Sequence, residues 1–98
     1  MTTKENILAL LRSNKVKLAK LGITEVGLFG SYIRNEQVKD SDIDLLVDFN
    51  PEKENFDNFM SVYDLLEKVF ENYKIEIITK NGLSPHIGPL ILNEVVYV

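Results

Sequence analysis

Cysteine is absent from the 98-residue chain. That excludes disulfides and thiolate metal sites, and it fits a cytoplasmic setting. Histidine occurs once, as His86, and one histidine without a partner makes a poor metal site. No apolar run approaches the ~20 residues that a membrane-spanning helix requires. Met1-Thr2-Thr3-Lys4-Glu5 lacks the shape of a signal peptide. Basic charge is also scarce, with 11 Lys and Arg against 15 Asp and Glu and a net charge of -4. A general nucleic-acid binder needs a basic footprint, so stable nucleic-acid binding is not expected. Lys15, Lys17 and Lys20 cluster, but at the end of a helical segment they complement its dipole. There is no internal repeat, low-complexity stretch or linker.

What is present suffices for a core: 45% of residues are hydrophobic. The length suits one small domain over residues 1–98. Ile7, Leu8, Leu11, Leu18 and Leu21 recur at helical spacing, which predicts a helix over 4–21 stopped by Gly22. Residues 24–29 read as a strand ending at Gly30, with one or two helical turns over 31–36. A polar loop through Lys39-Asp40-Ser41 leads to a second strand over 43–49, closed by Asn50-Pro51. Phe56, Phe59, Met60, Tyr63, Leu66 and Phe70 predict an amphipathic helix over 56–72 with that stripe in the core. A third strand covers 74–79, and Asn81-Gly82 makes a turn. Ser84-Pro85 resembles a helix start, which Gly88-Pro89 would delay by a turn. Val95–Val98 suits a short edge strand. Helices alternating with strands predict an α/β fold, a small mixed β-sheet flanked by helices.

The acidic residues carry the chemistry. Side chains in a strand alternate with period two, so Asp42, Asp44, Leu46 and Asp48 share one face. Ile43, Leu45, Val47 and Phe49 share the other, which is expected to be the buried one. Two like charges so close resist burial unless a cation neutralises them, and Mg²⁺ prefers carboxylate oxygens plus substrate phosphates. Glu76 is an acid among apolar neighbours. If the third strand lies beside the second, Glu76 approaches Asp42 and Asp44. Gly30-Ser31 forms a turn whose backbone N–H groups can face a phosphate. Arg34 can reach back toward phosphates held there or pair with Glu36 or Asp40.

Gly30-Ser31-Tyr32-Ile33-Arg34, followed by Ser41-Asp42-Ile43-Asp44-Leu45-Leu46-Val47, resembles the signature of the minimal nucleotidyltransferases. These are the smallest members of the DNA polymerase β-like superfamily. The resemblance extends over nearly the whole chain and implies the nucleotidyltransferase fold. It also implies metal-dependent transfer of a nucleoside monophosphate from a nucleoside triphosphate. By position, Gly30, Ser31, Arg34 and Ser41 match nucleotide-binding residues. Asp42 and Asp44 match the catalytic metal-binding pair, and Glu76 stands where a third acid, usually aspartate, is found. The usual Ala-Arg-Gly after the turn is Ile33-Arg34-Asn35 here. The resemblance further implies an antitoxin that uses ATP and Mg²⁺ to place AMP on a tyrosine of a HEPN-type ribonuclease toxin. The alternative is an antitoxin that neutralises the toxin by binding alone, its acidic surface covering a basic groove.

Overall fold

The computed structural model describes residues 2–98. Thr3 caps the first helix, its hydroxyl accepting from the Asn6 N–H at 3.2 Å. The expected helix over 4–21 is split into α1 (Lys4–Ser13) and α2 (Lys15–Lys20). The break has a local cause. Ser13 Oγ donates to the Ala9 and Leu10 carbonyls, and Asn14 Nδ2 donates to Leu10 O at 2.8 Å. Side chains that bond back to the backbone in this way compete with the helical ladder. Ile7, Leu11 and Leu18 are fully buried all the same. Gly22, at φ +97°, ends α2.

The strand β1 (Ile23–Phe29) pairs antiparallel with β2 (Ile43–Phe49). After Asn50 caps a short 3-10 turn at Pro51–Lys53, α3 runs over Phe56–Val69. β3 (Ile75–Thr79) lies parallel to β2, with Asp44 opposite Glu76. Ser84 caps a turn by accepting from the Ile87 N–H, so α4 begins only at Gly88 and runs to Glu94. β4 (Val96–Tyr97) pairs antiparallel with β1 at Gly27 and Leu28. The mixed sheet therefore has the order β3-β2-β1-β4.

Two expectations about burial are corrected. The stripe of α3 holds in part: Leu66 and Phe70 are buried and Phe59 packs against the core, whereas Phe56 and Met60 are exposed, and Val62, outside the stripe, is fully buried. Apolar residues occupy a wide arc of this helix, and the sheet selects the half that includes Val62. Leu46 is also fully buried, although its strand face was expected to be open. Ile91 of α4 and Phe29 of β1 pack on it, with Ile78, Leu83 and Val95 around them. On that face Asp42 is exposed, and Asp44 and Asp48 are half-buried on either side of the covered Leu46. Leu66→Ala is expected to cost about 3 kcal/mol, the usual cost of a buried leucine cavity. Phe56→Ala is expected to cost less than about 0.5 kcal/mol. Urea midpoints of the two variants check the assignment of the core face.

Candidate active site

Gly30 leaves β1 at φ +82°, in the left-handed region where a side chain is strained. A Cβ at this position would collide with Asp44 Oδ2. Glycine is thus required twice, by its own backbone and by the carboxylate across the strand pair. The segment after it closes on itself, the Ile33 and Arg34 N–H groups donating to Gly30 O at 3.1 and 3.2 Å. It is a turn, not a regular helix. Tyr32 anchors it in the core at 1% exposure. Asn35 ends it at φ 57°, where glycine is the usual residue and asparagine is tolerated. The replacement of the expected glycine by Asn35 therefore leaves the turn conformation available.

The β2–β3 register brings Asp44 and Glu76 side by side. The Asp44 carboxyl is pushed up from 3.8 to about 6. Burial is the main cause, followed by the charges of Glu76 and Asp42 and by hydrogen bonding with the Glu76 side chain; Arg34 acts the other way. Gly30, Arg34, Asp44 and Glu76 line one cavity of about 370 Å³. Ile87, just before α4, and Leu90 of α4 lie on its apolar wall, at 56% and 70% exposure. Asp42 is exposed just before β2, is not among the residues that line the cavity, and acts on Asp44 through its charge. Ser31 is half-buried in the turn. Ser41 lies elsewhere, lining a separate hollow with Lys39 and Lys74. Its hydroxyl accepts from the Val38 N–H at 2.9 Å, so it shapes its own loop.

The sequence reading did not single out Glu94. Its Oε2 accepts from the Gly30 N–H at 2.8 Å, and its Oε1 accepts from Arg34 Nη1 at 2.6 Å. Burial pushes the Glu94 carboxyl up, but these two bonds outweigh it and hold the carboxyl below its ordinary value. Arg34 also pairs with Glu36 at 2.6 Å, the surface partner that its position suggested. Glu94 and Gly30 are 64 residues apart, and no local pattern links them.

A hard divalent cation suits this donor set, which is all carboxylate oxygen and carries repulsion that a cation relieves. Among the described residues, no three His, Cys, Asp or Glu side chains form a ready-made ion cage. Mg²⁺ does not require one, since it commonly takes one or two carboxylates and completes its shell with phosphates and water.

A strand–turn that offers a backbone N–H beside paired acids on the neighbouring strands defines a phosphate-handling site of the nucleotidyltransferase type. The chain belongs to the nucleotidyltransferase-domain family, whose model matches residues 10–98. Among its relatives is the protein adenylyltransferase MntA of Thermococcus cleftensis, 37% identical over 99 residues that span 100% of this chain and 98% of that protein. A solved protein described as a minimal nucleotidyltransferase superposes with a TM-score of 0.82 at 28% identity, covering 97% of this chain and 95% of that one. A toxin–antitoxin structure containing AMP-PNP has a TM-score of 0.63 at 21% identity, covering 98% of this chain and 72% of that one. At that identity it shows the shared fold. Among the described residues, no helix is long and apolar enough to cross a membrane.

Proposed function

We propose that residues 1–98 act as one nucleotidyltransferase domain, a cytoplasmic antitoxin that moves AMP from ATP to a tyrosine of a HEPN-type ribonuclease toxin. The observation that carries this reading is the β2–β3 register, which sets Asp44 against Glu76 beside the Gly30 turn in one cavity. The name of the Thermococcus relative supports protein adenylylation, and the toxin–antitoxin structure with AMP-PNP supports a nucleotide and a protein partner.

In this reading Asp42, Asp44 and Glu76 hold Mg²⁺ against the triphosphate. The cation, when bound, neutralises phosphate charge and so favours attack at the α-phosphorus. The protein's own part is positioning. The Gly30 N–H and Arg34 orient the phosphates, and the open mouth of the cavity admits the acceptor. The tyrosine oxygen forms a bond to the α-phosphorus, and the bond from that phosphorus to the bridging oxygen of the β-phosphate breaks. Pyrophosphate leaves, and the phenolic proton passes to a carboxylate oxygen of Glu76.

The test is to incubate the chain with ATP, Mg²⁺ and a HEPN-type toxin, taken from the neighbouring reading frame where one is found there. Peptide mass spectrometry is expected to find AMP on a tyrosine of that protein. A toxin that is neutralised with no AMP attached would contradict the reading and favour neutralisation by binding.

A further inference from the structure

Arg34 is the one basic side chain lining the cavity among the described residues, and Asp44, Glu76 and Glu94 line it with negative charge. The Glu94 carboxylate takes both the Gly30 N–H and the Arg34 guanidinium, at 2.8 and 2.6 Å. A backbone N–H at a tight turn together with an arginine is how proteins grip a phosphate oxygen. A carboxylate is the side-chain anion nearest to that group in shape and charge. The Glu94 side chain is only 20% exposed, so it rests inside the cavity wall rather than over solvent.

Resting on the nucleotidyltransferase reading above, we infer that Glu94 is a built-in occupant of the phosphate seat and that the incoming triphosphate displaces it. The Gly30 N–H has one hydrogen to give, so Glu94 and a phosphate oxygen compete for it. The competition is confined to the side chain. The backbone on either side of Glu94 is fixed, since Val95 N donates to Ile91 O at 2.9 Å and Val98 N donates to Val26 O at 3.1 Å. Rotation of the glutamate side chain suffices to clear the seat, and α4 and β4 need not move. While the cavity lacks nucleotide, Glu94 keeps Arg34 and the turn in place. When nucleotide is bound, its released charge lies beside the phosphates and weakens their hold. The site is then tuned for weaker nucleotide binding than its other residues permit.

Glu94→Gln tests this inference, because it keeps the shape and removes the charge. Binding of α,β-methylene-ATP with Mg²⁺ is measured by calorimetry on the wild type and the variant. The variant is expected to bind about fivefold more tightly, the scale of one partly exposed charge interaction. A second readout uses the unaltered protein with ¹³C-labelled glutamate. Saturation with the same nucleotide is expected to shift the Glu94 carboxyl resonance away from its ion-paired position. Equal or weaker binding by the variant, or a Glu94 resonance unmoved at saturation, overturns the inference and leaves Glu94 as a scaffold for Arg34. If the wild type and the variant both fail to bind, the nucleotidyltransferase reading of this cavity falls and the inference falls with it.

Discussion

Replacing Asp42 and Asp44 together by asparagine is expected to abolish AMP transfer, by about three orders of magnitude or more, while the fold persists. The size follows from the several kcal/mol that a bound cation contributes to transition-state charge, at tenfold per 1.36 kcal/mol. The same change is expected to stabilise the metal-free protein. Asp44 is half-buried, and its carboxyl is raised from 3.8 to about 6 by burial and by Glu76 and Asp42. A carboxyl raised on folding binds its proton more tightly in the folded state. Its contribution to stability is therefore fully present below about 3.8 and is lost as the pH rises through about 6. At pH 8 the charged form costs about 1 kcal/mol once solvent screening of this half-exposed group is allowed for. Urea unfolding in the presence of a chelator at pH 5 and pH 8 checks this. The wild type should lose stability between the two values, and the double variant should lose much less. A variant that is inactive through loss of the fold would show a lowered midpoint or no cooperative transition.

Gly30→Ala is expected to be the most damaging single change to the site. The φ of +82° imposes roughly 1–2 kcal/mol on any residue with a Cβ. The added methyl would also collide with Asp44 Oδ2, and the nearest atoms behind that oxygen are the Cγ and Cβ of the same side chain. Either β1 or Asp44 must then move. Displacement of a reacting group by about 1 Å commonly costs 10²-fold in rate, so transfer should fall by at least about that factor. The stability loss should be about 2–3 kcal/mol, the backbone cost plus a partial steric cost. Thermal unfolding together with a transfer assay measures both effects. Near-normal transfer by Gly30→Ala would show that the turn does not form part of the phosphate seat.

Much of this architecture was legible because it is local. The period-two alternation from Ile43 to Phe49 placed the strand and its inner face, and Gly30 marked the end of β1. Asn35 shows how the replacement for a glycine keeps its conformation, since asparagine adopts the positive φ of 57°. Other features depend on what packs against them. Leu46 alternates onto the acidic face of β2, and Ile91 of α4, folded back from the far end of the chain, makes that position core together with Phe29. The buried face of α3 was ambiguous because apolar residues at 59, 62 and 66 satisfy helical spacing as well as those at 59, 63 and 66. The break at Asn14 turned on side-chain bonds to preceding carbonyls. At the site, Asp44 and Glu76 were legible as a pair once adjacent strands were supposed. Ser41 shared the same motif but spends its hydroxyl within its own loop. Glu94 had no local signal, because its partners Gly30 and Arg34 lie 64 and 60 residues away.

The most direct measurement is calorimetric titration of the chain with α,β-methylene-ATP, with and without Mg²⁺, beside the Asp42→Asn, Asp44→Asn double variant. Saturable uptake at one nucleotide per chain is expected for the wild type with Mg²⁺, with little or none when the cation is withheld or both aspartates are replaced. Uptake that is indifferent to the cation and to both aspartates, or no uptake by the wild type, would contradict the account.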